Sequence, residues 1–291
     1  MVYNFKVDVF MFSLVFSVLF CMLCCVVDSL LGFWVFLELG SLSIVPSILL
    51  MGDFSFSNMY SSMMSYIVMS GLSSVLFVSG LLINGLYYFI FLGFSIKFGL
   101  FPFMFWVYRV FSVGNWFFIF FLSVIMKFPV LFFCYLYQVN YTFIDIDCFF
   151  TIVVCSCLVW FFSLGWEYVW CHISLSSVAT LVVACFYSSV EVCFFIYWYY
   201  FFWGVLCIVY FFFVSDYMDV KGYYFWGFVL LLLVTPVSIP LFYKLAVCVG
   251  IVYSSLYVLL SWIIYSFSEQ FFLYKLASDY FYSGVFNDWV N

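Results

Sequence analysis

The chain has 291 residues, of which 70% are hydrophobic and only 7% charged, and its mean hydropathy is +1.30. A soluble domain carries about a quarter charged residues, so this composition excludes one and indicates a polytopic membrane protein. At about 20 to 25 residues per helical span there is room for about ten spans, read as one transmembrane domain over residues 1–291, and the net charge of −6 with no basic face argues against a nucleic-acid partner.

The bias among the apolar residues adds a source. There are 46 Phe, 25 Tyr and 12 Cys against 1 His and 5 Pro, and the abundant types have T-rich codons where the scarce ones need C-rich codons. That pattern points to a T-rich organellar genome. Residues Met1 to Asp8 run straight into the apolar stretch Val9 to Val27, too long for a signal-peptide core and lacking a small-residue cleavage site, so no targeting segment is expected.

Hydropathy predicts spans at 9–27, 30–51, 60–83, 86–108 and 116–138, then at 148–165, 172–189, 191–214, 223–247 and 249–267. The remaining tail, 268–291, carries Glu269, Lys275, Asp279 and Asp288 among aromatics and is expected to lie along the membrane interface. The expected architecture is therefore all-α, with about ten transmembrane helices in two five-helix repeats over about 9–138 and 148–267.

Four ionisable residues fall inside these spans. The second span holds Glu38 in Trp34-Val35-Phe36-Leu37-Glu38-Leu39-Gly40. The fourth holds Lys97 beside the breaker sequence Gly99-Leu100-Phe101-Pro102, and the fifth holds Lys127 in Met126-Lys127-Phe128-Pro129. The ninth contains Pro236 and Pro240, followed by Lys244. A charge at the bilayer centre costs about 2.5–3.5 kcal/mol on insertion scales, so each intramembrane ionisable residue is a functional candidate. Proline removes a backbone donor and clashes one turn back, which predicts that the fourth and ninth helices are discontinuous.

Interrupted helices at matching places in two halves, with an odd number of spans per half, are the pattern of an inverted-repeat transporter whose ion path runs along the repeat interface. The plainer alternative is a pair of ordinary proline kinks. Glu38 needs a cationic partner or a proton at its depth, and Lys97 is the candidate partner. That pair could also simply pin two helices, whereas a row of three deep lysines with one glutamate is harder to explain by fixation alone. Only Lys6, Arg109, Lys221 and Lys275 lie outside the deep positions, too few to set an orientation.

The twelve cysteines read as small hydrophobes. Cys21 and Cys24 form a C-x-x-C within an apolar helix, without a second pair or a histidine cluster. The single histidine, His172, falls at a predicted span edge, and one histidine cannot supply the paired axial ligation of a haem-bearing membrane subunit. No dinucleotide-binding glycine motif or P-loop is present.

With these residues placed, the chain resembles the mitochondrial NADH dehydrogenase subunit 2 family, antiporter-like membrane subunits of respiratory complex I. Lys97 to Trp106, KFGLFPFMFW, is similar to the family's K-x-G-x-x-P-F-H-F-W and is the most specific match. Trp34 to Pro46 with Glu38, Leu122 to Pro129 with Lys127, Pro236 to Lys244, and Ser176-Ser177-Val178-Ala179 resemble four further family segments. The chain departs from the pattern at Met104 and Thr180, where the family has histidines, at Arg109 in place of an acidic residue, and at Leu241 in place of a glycine.

The resemblance implies a proton-translocating core subunit of the membrane arm of NADH:ubiquinone oxidoreductase in the mitochondrial inner membrane. Glu38, Lys97, Lys127 and Lys244 would form its proton path. The chain itself would hold no cofactor; FMN, iron–sulfur clusters and ubiquinone would belong to other subunits, and its partners would be other membrane-arm subunits and lipids such as cardiolipin. Lysine holds or releases a proton readily once desolvated, so the Glu38–Lys97 pair is a candidate switch that passes a proton toward Lys127. Two readings of other classes stay open: a free-standing cation/proton antiporter, and a structural membrane subunit without its own proton path.

Overall fold

The computed structural model describes residues 7–50, 56–137, 141–163, 165–215 and 223–290; Lys6 and Lys221 lie outside them. Every described regular element is helical. The order is α1 (Val7–Leu23), α2 (Leu30–Ile44) with a 3-10 extension Val45–Leu50, α3 (Phe56–Leu82), α4 (Tyr88–Phe98), α5 (Phe105–Phe111), α6 (Trp116–Ser123), a 3-10 turn Ile125–Lys127, α7 (Phe128–Leu136), α8 (Tyr141–Phe162), α9 (Trp166–Tyr187), α10 (Val190–Ser215), α11 (Tyr223–Leu231), α12 (Ile239–Ile251) and α13 (Leu256–Val290).

Among the described residues seven helical stretches are long and apolar enough to cross a membrane, and Val7–Leu23, Tyr88–Phe98 and Ile239–Ile251 are shorter apolar helices. Two of those short helices are pieces of the predicted fourth and ninth spans, cut where the sequence breaks them. The protein is an all-α polytopic membrane protein. Corresponding pairs pack in the two halves: α1 on α2 and α8 on α9, then α3 on α4 and α5, as α10 on α11 and α12.

Each break satisfies its own freed backbone groups, as the absence of water in a bilayer core requires. At the first, Gly99 adopts a left-handed conformation (φ 71°) that caps α4, and Leu100 N–H returns to Ser95 O at 2.9 Å. The Trp106 indole donates to Ile96 O at 2.8 Å, and Thr151 of α8 accepts from Phe101 N–H at 2.9 Å. At the second, the Trp203 indole donates to Leu231 O at 2.8 Å, Gln270 accepts from Val234 N–H at 2.9 Å, and Tyr274 donates to Val234 O at 2.9 Å.

The structure differs from the hydropathy reading at several places, the sixth span beginning at Tyr141 and the tenth at Leu256, and three of the differences bear on the site. The predicted fifth span is not a continuous helix: it tightens into the 3-10 turn at Lys127, where Pro129 begins α7 without a backbone donor. The freed carbonyls of Ser123 and Val124 accept from Tyr200 at 3.1 Å and Tyr197 at 3.5 Å. The predicted seventh span begins six residues early, at Trp166, so His172 sits inside α9 rather than at an edge. Residues 268–279 do not form a separate interfacial segment but continue α13, because nothing between Leu256 and Asp279 breaks the helix, and Val258, Ser261, Tyr265, Glu269 and Leu273 form one buried stripe.

α9 lies at the centre, buried along nearly its whole length. Around α4 and α7 an aromatic stack fills the core: the Phe94 and Phe133 rings lie 3.8 Å apart and nearly parallel, and Tyr137 continues the stack 5.2 Å from Phe133. Such contacts add about 0.5–1.5 kcal/mol per pair beyond burial, and they fix α4, hence Lys97, against α7.

Candidate functional site

The three lysines at depth define three groups along the core. In the first, α2 carries Glu38 and the last turn of α4 carries Lys97. Lys97 Nζ donates to Glu38 Oε1 at 2.5 Å and to Ser41 Oγ at 3.3 Å, and Ser70 donates to the other carboxylate oxygen at 3.2 Å. The pair is largely buried, with side-chain exposures of 7% for Lys97 and 19% for Glu38. Its partners offset the loss of water that makes an isolated buried charge so costly. The helix dipole also helps: Lys97 sits at the C-terminus of α4, where a cation is favoured.

Lys127 forms the second group and has no carboxylate among its described contacts. Its ammonium donates to Ser174 O at 2.7 Å, to Ser177 Oγ at 2.5 Å and to the Tyr200 hydroxyl at 2.7 Å. It also lies 4.0 Å from the centre of the Tyr200 ring. The side chain is buried, so neutral dipoles replace its water and no opposite charge does. The 3-10 turn is what aims it at α9 and α10: Trp170 donates to Ser123 Oγ at 2.9 Å and Tyr200 reaches Ser123 O, tying both helices to the end of α6.

Between these groups lies a cavity of about 30 Å³ lined by both Lys97 and Lys127, with Tyr66, Ser70, Ser123 and Ser174 supplying polar edges. A water needs about 10–15 Å³ measured in this way and two to four polar partners. The cavity therefore has the size to seat about two waters between the two amines, within a mostly apolar wall whose polar edges are these side chains.

The third group joins α12 to α13. Lys244 Nζ lies 3.3 Å from Glu269 Oε1 and donates to Ser266 O at 3.4 Å, and Gln270 donates to the same carboxylate oxygen at 3.1 Å. Hydroxyls bridge the interval from Lys127: Tyr243 stands beside Ser177 and Thr180, its ring 5.8 Å from that of Tyr200, and Tyr265 stands beside Ser176 and Glu269.

The fold thus brings Glu38 onto Lys97, sets Lys97 and Lys127 on one cavity, and places Lys244 in a separate pair. Glu269 is the residue that sequence reasoning missed, having been assigned to an interfacial tail. The readable signal was its place four residues after Tyr265 on the buried stripe of an unbroken helix. Of the hydroxyl partners of Lys127, Ser177 lies in a segment that carries the family resemblance but was not tied to the lysine, and Tyr200 gave no signal beyond helical sequence. Met104 and Thr180 are buried, the former apolar and the latter donating locally to Ser177 O at 3.2 Å. The cysteines are all free, and Cys21 donates weakly to Ile125 O at 3.8 Å.

Fold and site together define a helical membrane protein with interrupted spans and a buried row of ion-paired and hydroxyl-solvated amines. Among solved structures, the chain is similar to a chain of the respiratory complex I of Thermus thermophilus with bound aureothin. The TM-score is 0.76 over 92% of this chain and 69% of that chain, with 14% sequence identity, and the likeness is one of fold. No protein-family model matches the sequence, and no curated protein sequence does.

Proposed function

We propose that this chain is an antiporter-like, proton-translocating subunit of the membrane arm of a respiratory complex I, resembling subunit 2. The observation that carries the reading is the row Glu38–Lys97, Lys127 and Lys244–Glu269, set at interrupted helices and connected by a cavity that Lys97 and Lys127 both line and by a run of hydroxyls. The likeness of fold to a chain of a respiratory complex I supports it, as do the four further motif resemblances around Glu38, Lys127, Ser176 and Lys244.

In this reading the redox chemistry lies in other subunits. Protonation events there pull Lys97 away from Glu38; Lys97, having lost its counter-charge, gives its proton through water to Lys127. From Lys127 the proton passes by way of Ser177 and Tyr243 to the Glu269–Lys244 pair. Each amine needs only to hold or release a proton, and closing or opening a Glu–Lys pair supplies the difference between those states. The abundance of residues with T-rich codons supports synthesis inside an organelle, and the resemblance to subunit 2 implies the mitochondrial inner membrane, among other membrane-arm subunits and lipids such as cardiolipin.

The test is Lys127→Met in the assembled complex, reading protons moved per electron. A lower ratio with electron transfer retained is expected. An unchanged ratio with altered assembly would leave only a structural role for the lysine row. Purification of an active homo-oligomer free of flavin and iron–sulfur subunits would favour a stand-alone antiporter instead.

A further inference from the structure

His172 is the chain's single histidine, and the path through Lys127 does not use it. It is 1% exposed, within α9. Its Nδ1 lies 2.7 Å from the Tyr108 hydroxyl of α5, with the two rings 5.2 Å apart. Its Nε2 is buried and has no hydrogen-bond partner among the described residues. A histidine that served only to anchor Tyr108 would need one ring nitrogen, and the other would not be expected to end bare of partners in the core.

The surroundings of the Tyr108–His172 pair are polar and lead toward Glu269. Tyr108 has Cys155 of α8 and Tyr265 of α13 near it. The Tyr265 hydroxyl is buried without a hydrogen-bond partner among the described residues, and Ser176 and Glu269 stand beside it. On the other side, Tyr108 follows Trp106 and Val107, which line the cavity shared by Lys97 and Lys127. The cluster thus lies between the cavity wall at Val107 and the Glu269–Lys244 pair, and Lys127 is not among its members.

We propose that Tyr108, His172 and Tyr265 form a second proton-transfer branch from the central cavity to Glu269. The inference rests on the reading of the chain as a proton-translocating subunit. An imidazole can take a proton on one nitrogen and release another from the second. The Tyr108 hydroxyl gives its proton to Nδ1 and regains one from water on the cavity side. Nε2 then releases its proton to water, which passes it by way of Tyr265 to the Glu269 carboxylate. Each transfer breaks one O–H or N–H bond and forms one, so charge and atoms balance with water as the only added carrier.

A chain with one histidine gives one pair of imidazole nitrogen signals, so the full-length chain, labelled with 15N-histidine in lipid bilayers, can be read by solid-state NMR without assignment. The branch predicts magnetisation exchange between the His172 ring and water, and loss of that exchange in Tyr265→Phe. A ring N–H that stays out of contact with water, in the unmodified chain, overturns it. In the assembled complex, His172→Gln and Tyr108→Phe should each reduce protons moved per electron while electron transfer continues, with Lys127→Met as reference. A lower ratio in Lys127→Met with no change in either branch variant removes the branch and leaves the main path. An unchanged ratio in all three overturns the underlying reading as well.

Discussion

The two Glu–Lys pairs are built differently. Glu38 and Lys97 meet at 2.5 Å, with Ser41 and Ser70 completing the contacts, and Lys97 ends a half-helix whose dipole favours its charge. Glu269 and Lys244 stand 3.3 Å apart, and Lys244 lies within the half-helix after its break, where it lacks that help, and leans on Ser266 O. Lys127, between them, has dipoles but no carboxylate. The Coulombic hold is thus strongest at the first pair, absent at Lys127 and intermediate at the last pair. On the proposed reading, this suits a proton held firmly at entry and passed on once the first pair opens.

The strongest way to break this contrast is at its centre. On the proposed reading, Lys127→Met should cut proton movement through the chain most deeply, down to what the Tyr108–His172–Tyr265 branch carries, read as protons per electron in the assembled complex, while either single hydroxyl neighbour, as in Ser177→Ala, should lower it less. Equal effects from the two changes would mean that the amine itself carries no proton. Next in size is the asymmetry of the pairs. Removing one partner of a buried pair costs about 3–5 kcal/mol because the other charge is left uncompensated. Glu38→Gln should therefore lower assembly yield and thermal stability toward that range, and Glu269→Gln by less, since its pair is longer. The double change Glu38→Gln with Lys97→Met should restore assembly but not pumping; restored pumping would make the first pair a fastener only.

Much of this was legible in the sequence, and the failures have physical causes. Glu38, Lys97, Lys127 and Lys244 stood out because charge is rare in an apolar run, and the breaks at Pro102 and Pro236 because proline cannot continue a helix. Glu269 was hidden because a 35-residue helix looks from its composition like a span followed by a polar tail; only the 3.6-residue stripe distinguishes them. The turn at Lys127 was hidden because Pro129 can open a helix as well as kink one. His172 was misplaced by six residues of helix whose Trp166, Glu167 and Tyr168 read as an aromatic interface. Hydroxyl partners such as Tyr200 were invisible since helix packing, not local sequence, brings them to the amine.

The smaller predictions test how the breaks hold the two lysines. Gly99 has φ 71°, and a Cβ there would clash with Val107 Cγ2. The left-handed conformation alone costs a residue with a side chain about 1–2 kcal/mol. Gly99→Ala should lower thermal stability by at least that much and loosen Lys97, the pair closest to the break. The indoles provide the finest comparison. Trp106 and Trp203 each donate at 2.8 Å to a carbonyl freed by an interruption, and replacing either by Phe removes about 0.5–1.5 kcal/mol of hydrogen bonding. Their positions differ, however: Trp106 caps Ile96 O, one residue before Lys97, whereas Trp203 caps Leu231 O, well before Lys244. Trp106→Phe should therefore reduce protons per electron along with stability, and Trp203→Phe should reduce stability alone. Matching losses of proton yield in the two variants would show that the break as a whole, rather than the seating of Lys97, sets the transfer.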